Sequence, residues 1–284
     1  TTAALTSYRR HLELDGNVDR RAVTLKRIAE IHSLLGEHEQ AVENLEAANK
    51  LRPEDSGTIL QLAEALLQVD EDQQAIGRYN DFLKMVNGEV EKTVPEPHLV
   101  YNGIATAYHG MRKKYEAVDY YTLSLMFDRR QAVPLTKRGW AFLEDNIELA
   151  IRDFQTAKQL SPENPDTLIG LASAYAKSGD RQAAIREVDA AWPLARAQAV
   201  DVGPMAFVLF HNAATVHGRL SEAALRDPSL SDEIRAQQFN ESVKNAVALL
   251  REALEIAKPN AAVLRVMLKE METDAALKYI RGSA

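Results

Sequence analysis

The chain has 284 residues, is 46% hydrophobic and 26% charged, and carries a formal net charge of −7. That composition suits a folded chain with a sizeable core and lacks the basic surface that binding to a nucleic-acid backbone needs. There is no cysteine, which excludes disulfide frameworks and thiolate metal sites and leaves the compartment open. The most apolar stretch, Met205–Phe210, falls far short of the roughly 18 apolar residues of a membrane span, so no membrane insertion is expected.

Residues 1–16 read as the second helix of a hairpin whose first helix is missing, with Ala4, Tyr8 and His11 on its inner face. The absence of an initiator Met points the same way, to a piece of a longer chain. Any targeting segment would then lie outside it, and the cytoplasm is the favoured compartment.

Residues 22–55 form the first whole hairpin. Leu25, Ile28, Ala29 and His32 share one helix face, Gly36 marks the turn, Ala41, Leu45 and Ala48 share the second face, and Pro53 ends it. Residues 56–89 repeat the pattern at an offset of 34, with Ile59, Leu62, Ala63 and Leu66 followed by Ala75, Tyr79 and Phe82. A spacer holding Gly88, Pro95 and Pro97 reads as a loop or an elongated helix end. Residues 98–131 give Tyr101, Ile104, Ala105 and Tyr108, then Ala117, Tyr121 and Ser124. Residues 132–164 give Leu135, Gly139 and Phe142, then Ala150, Phe154 and Ala157, with a turn one residue short. Residues 165–198 give Leu168, Leu171, Ala172 and Tyr175, then Ala184, Val188 and Ala191, and Pro193 is expected to close the second helix early.

Residues 204–259 depart from the pattern. Phe210, Ala213, Ala214 and His217 fit a first helix and Ala246, Leu250 and Ala253 a second, with an insertion between them. This predicts a tall terminal hairpin, broken at Asp227-Pro228-Ser229 and restarting at Ser231-Asp232-Glu233. Pro259 ends it, and residues 260–284 read as a capping element of one helix or two short ones, restarting at Thr273-Asp274.

A 34-residue unit with small, aromatic and small positions in register resembles the tetratricopeptide repeat family. The resemblance covers nearly the whole chain. It implies an all-α fold, a right-handed α-α superhelix of stacked hairpins, with ligands on the concave side formed by the first helices. The tail (HNAATVHGRL, RDPSLSDE, AVALLREALE, METDAALKYIRG) also resembles the closing segments of repeat arrays in bacterial multidomain proteins, serine/threonine kinases among them.

No catalytic constellation is found. There is no GxGxxG, no GxxxxGK[ST], no HExxH and no GxSxG. His32 and His38, like His211 and His217, stand six residues apart, about 600° around a helix and on different sides. No catalytic residue, no metal site and no cofactor is expected, and no enzyme activity.

The resemblance places the working surface on first-helix residues that point away from the repeat interlock. These are Lys26, Arg27 and Glu30 in the first hairpin and Leu60, Gln61 and Glu64 in the second. The partner-binding groove is expected at Asn102, Gly103, Thr106, Lys137, Trp140, Ile169, Gly170, Ser173, His211 and Asn212. Small residues there would let a ligand backbone approach, with Trp140 as an exposed anchor and the Asn side chains as hydrogen-bonding groups. Some family members clamp a terminal carboxylate with Lys and Asn. Here Glu30 stands where that clamp needs Asn and would repel the carboxylate, so acidic tails are not expected to bind. The expected partner is a protein or peptide, not nucleic acid. The alternatives are self-assembly through the truncated N-terminal repeat or service as a regulatory tail in a larger protein such as a bacterial kinase.

Overall fold

The structure, a computed structural model, describes residues 2–280. All of its regular elements among these residues are helices. They divide into two compact units, residues 1–129 and 130–284.

The first unit opens with α1 (Thr2–Leu14) and continues with three antiparallel hairpins: α2 (Val18–Leu34) with α3 (His38–Leu51), α4 (Ser56–Leu67) with α5 (Asp72–Met85), and α7 (Pro97–Gly110) with α8 (Lys114–Phe127). A single-turn helix, α6 (Val90–Thr93), sits in the spacer, where Val90 is fully buried. The spacer is therefore anchored to the core. On α1 the inner face differs from expectation: Leu5 is buried and Leu12 half-buried, while His11 is exposed. Leu5 and Leu12 are two helical turns apart on one side, and burying them removes more apolar area from water than burying Ala4 and His11 would.

The second unit holds α9 (Ala132–Phe142) with α10 (Ile147–Leu160), α11 (Pro165–Ser178) with α12 (Arg181–Val202), and the long pair α13 (Phe207–Arg226) and α14 (Asp232–Ala257). Then come α15 (Ala261–Thr273) and a 3-10 turn over Ala275–Leu277. Ser231 caps α14, its Oγ accepting from Ile234 N at 3.3 Å, and Asp274 caps the last turn, accepting from Ala276 N at 2.8 Å. Pro193 does not close α12: the helix runs nine residues past it to Val202, and Gly203 at φ +68° ends it.

Packing explains the repeated pattern. The second-helix triplets Ala41/Leu45/Ala48, Ala75/Tyr79/Phe82, Ala117/Tyr121/Ser124, Ala150/Phe154/Ala157, Ala184/Val188/Ala191 and Ala246/Leu250/Ala253 are all buried. All but the second put a large side chain between two small ones, the second ending in Phe82 instead, and the small positions let neighbouring hairpins approach closely. The turns repeat as well. Gly36, Asp70, Arg112 and Gly179 occupy the same register and all have positive φ (74°, 57°, 58° and 89°). The fourth turn, shorter by one residue, replaces this with Asn146, whose Oδ1 accepts from Leu149 N at 3.0 Å.

Polar ties join successive helices within the second unit. Arg138 on α9 grips the buried Asp153 on α10 through two bonds of 2.7 and 2.8 Å. Thr136 and Thr167 share a hydroxyl hydrogen bond of 2.7 Å. Arg181 donates to Leu220 O, Gln238 O and Ser242 Oγ, tying α12 to α13 and α14.

Candidate functional site

Each unit carries its own recess on first-helix faces. In the second unit a pocket of about 260 Å³ is lined by Trp140, Leu143, Glu144, Ser173, Asn212, Thr215, Arg219 and Asp274. Helical spacing assembles it: Trp140, Leu143 and Glu144 follow one stripe at and beyond the end of α9, and Asn212, Thr215 and Arg219 follow another on α13.

Trp140 is half-buried and held in a fixed pose. Its Nε1 donates to Asp166 Oδ1 at 2.9 Å, and its ring packs edge-on against Phe154 at 5.6 Å. The second oxygen of Asp166 accepts from Lys137 Nζ at 3.0 Å. Asn164 caps α11 and thereby sets Asp166 in its first turn.

Charges on the pocket rim are largely paired. Lys177 meets Glu144 at 2.5 Å and donates to Leu143 O. Asp274 accepts from Thr215 Oγ1 at 2.9 Å and stands 3.9 Å from His211 Nε2. Arg219 lies 3.9 Å from Glu144, and its buried Nε has no hydrogen-bond partner. The pocket thus offers an aromatic wall, the Arg219 guanidinium and the side-chain amide of Asn212.

Of the expected groove residues, the structure brings Trp140, Ser173 and Asn212 into this pocket, with Lys137 joined to it through Asp166. Others point elsewhere. Ile169 is 1% exposed and belongs to the core. His211 is buried. Gly170 does not open space for a ligand: a Cβ there would stand 2.3 Å from Phe154 Cε1. Gly103, in the first unit, is likewise filled, with Tyr79 Oη 2.0 Å from where its Cβ would be. Both glycines admit an aromatic ring from a second helix. Thr106 is exposed and its hydroxyl donates to Asn102 O at 2.9 Å, while Asn102 Oδ1 is buried without a donor. Leu143, Glu144, Arg219 and Asp274 were not expected in the site. Arg219 was legible, standing one turn beyond Thr215, but nothing in the sequence says that the tail brings Asp274 to α13.

The histidines in the Tyr108 and Tyr175 register are packing residues. His32 is buried with Nδ1 2.5 Å from Glu37 Oε2. His217 is 2% exposed, and burial, aided by the nearby Arg181 charge, pushes it down to about 4, so it is neutral.

In the first unit a recess of about 550 Å³ lies between α2 and α4. Ala29, Leu34, Leu45 and Ala65 give it apolar walls, and Lys26, Glu30, Ser33, Gln61, Glu64 and Gln68 its polar edge. Lys26 donates to Asp55 Oδ2 at 3.2 Å. Burial pushes Asp55 up, but hydrogen bonds from Thr58 and Lys26 outweigh it and hold the carboxyl below its ordinary range. Glu64 is exposed as a residue, and partial desolvation of its carboxyl at the recess wall raises it above the ordinary range.

Stacked antiparallel hairpins with small–large–small interlocks define an all-α solenoid of the tetratricopeptide type. Residues 141–200 match the family model described as tetratricopeptide repeat, and residues 3–100 match the bacterial transcriptional activator domain. Among solved structures, MamA from Desulfovibrio magneticus RS-1 is similar at 18% identity and TM-score 0.54, over 63% of this chain and 97% of that one. YrrB, described as a TPR protein with an unusual peptide-binding site, is similar at 14% identity and TM-score 0.52, over 66% and 91%. No curated protein matches the chain by sequence. The tetratricopeptide match is thus confined to residues 141–200, while the fold is shared with solved structures of this type. Among the described residues no helix is long and apolar enough to cross a membrane.

Proposed function

We propose that the protein is a non-catalytic interaction scaffold and that its second unit binds a segment of a partner polypeptide at the Trp140 pocket. The observation that carries this reading is the pairing of a Trp ring fixed by Asp166 and Phe154 with the guanidinium of Arg219 and the amide of Asn212 across the same pocket. A wall that is already immobile loses little entropy on binding. The volume, about 260 Å³, lies below the roughly 300 Å³ at which whole small-molecule sites begin, so it suits one side chain of a longer ligand. The peptide-binding site named for YrrB supports the class of function and leaves the partner's identity open.

The test is capture from source-cell extract, with mass spectrometry, by wild type, Trp140→Ala, Arg219→Ala and the distant surface variant Glu148→Ala. The expected result is a partner retained by Glu148→Ala and lost by both pocket variants, with circular dichroism unchanged. Equal capture by all four proteins would move the site off this pocket.

A further inference from the structure

We infer that the recess between α2 and α4 receives a single arginine or lysine side chain from a bound polypeptide, its aliphatic stem on Ala29, Leu45 and Ala65 and its cationic head at Glu64. The inference deepens the scaffold reading, on which it rests, and concerns a different unit from the Trp140 pocket.

The cations beside this recess are bonded to carboxylates other than Glu64. Lys26, the cation in its wall, is bonded to Asp55. Arg27, the next cation along α2, is bonded to Glu30 at 2.8 Å. Glu64 has neither an ion-pair nor a hydrogen-bond partner among the described residues. A lone carboxylate beside an apolar floor matches a side chain with a long aliphatic stem and a cationic tip. The raised carboxyl of Glu64 is what a carboxylate without a cation shows when walls displace its water. Leu34, at the rim and 82% exposed, can cover a neighbouring apolar residue of the same ligand. An acidic ligand is excluded by Glu30 and Glu64 together. The volume of about 550 Å³ accommodates the stem, the head and part of the flanking chain.

The probes are three fluorescein-labelled nonapeptides, Ala-Leu-Arg, Ala-Leu-Gln and Ala-Leu-Glu each repeated in triplicate, titrated by fluorescence anisotropy at physiological salt. The Arg peptide is expected to bind wild type, with the Gln peptide weaker and the Glu peptide silent. Glu64→Gln should weaken the Arg peptide by about two- to fivefold, the scale of losing one partly solvated charge pair, with an unchanged melting curve. The surface variant Glu116→Gln, which changes net charge equally, should bind as wild type does. Equal binding of the Arg and Gln peptides, equal weakening by Glu116→Gln, no effect of Glu64→Gln, or no binding of the Arg peptide would each overturn the inference. None of those results touches the scaffold reading, which stands or falls on partner loss by Trp140→Ala and Arg219→Ala.

Discussion

At Gly170 a Cβ would stand 2.3 Å from Cε1 of the fully buried Phe154, and the same ring lies 2.9 Å from where a Cβ of Gly139 would be. The ring therefore has glycine on both sides and nowhere to move. Replacing Gly170 by Ala gains about 1 kcal/mol of helix propensity and loses about 1–3 kcal/mol to overpacking, so Gly170→Ala should destabilise. Gly77 is the contrast: it is exposed in the interior of α5 and a Cβ there would meet nothing within 4 Å. Gly77→Ala should stabilise by about 0.5–1 kcal/mol. Urea unfolding followed by circular dichroism reads both. If the two variants shift in the same direction, the close contact at Gly170 is wrong. The pair also shows why the groove was only partly legible. In sequence, a glycine on a first helix looks the same whether it leaves room for a ligand or for Phe154. What decides is the side chain arriving from another helix.

At the scale of the helix, most of the pattern was legible because the same contact forces it each time. A second helix that packs between two neighbours needs a small residue, a large one and a small one, and that requirement repeats at Ala41/Leu45/Ala48 and Ala150/Phe154/Ala157 alike. Pro193 shows the limit of local reasoning. Its ring removes a donor to the carbonyl of Asp189 and ordinarily breaks a helix. Here Ala191 and Ala195 on either side are buried, and Pro193 itself faces solvent. Burial of the alanine face against α13 carries the helix through, and water can serve the exposed carbonyl. Proline should still be a liability. Pro193→Ala should restore the hydrogen bond and raise stability by about 2 kcal/mol, the helix-interior cost of about 3 less about 1 for a freer unfolded chain. A urea midpoint no higher than wild type would show that the proline conformation is part of how α12 meets its neighbours.

A solenoid unit is as stable as its end allows, because each hairpin is buried only by the ones beside it. In the second unit the far end is closed by the tail. Leu277 is 1% exposed and Ile280 fully buried, both in the core that α11, α13 and α14 share. Gly218 lies so close to the last turn that a Cβ there would stand 2.2 Å from Ala276 O. Lys278 bonds Glu222 at 2.8 Å and, with Asp274 on Thr215, fastens the segment along α13. The same segment supplies Asp274 to the Trp140 pocket, so the cap and one wall of the candidate site are a single piece of chain. If the tail is a cap, Leu277→Ala should cost about 2–4 kcal/mol, the range for emptying a leucine site in a packed core. Gly218→Ala should loosen the tail without touching Leu277. Both variants should unfold at lower urea and bind a dye for exposed apolar surface before the main transition. Were the tail only resting on α13, Leu277→Ala would fall within about 0.5 kcal/mol of wild type, as surface changes do. Asp274 would then be a loose neighbour of the pocket, and its replacement by Ala would leave partner capture unchanged.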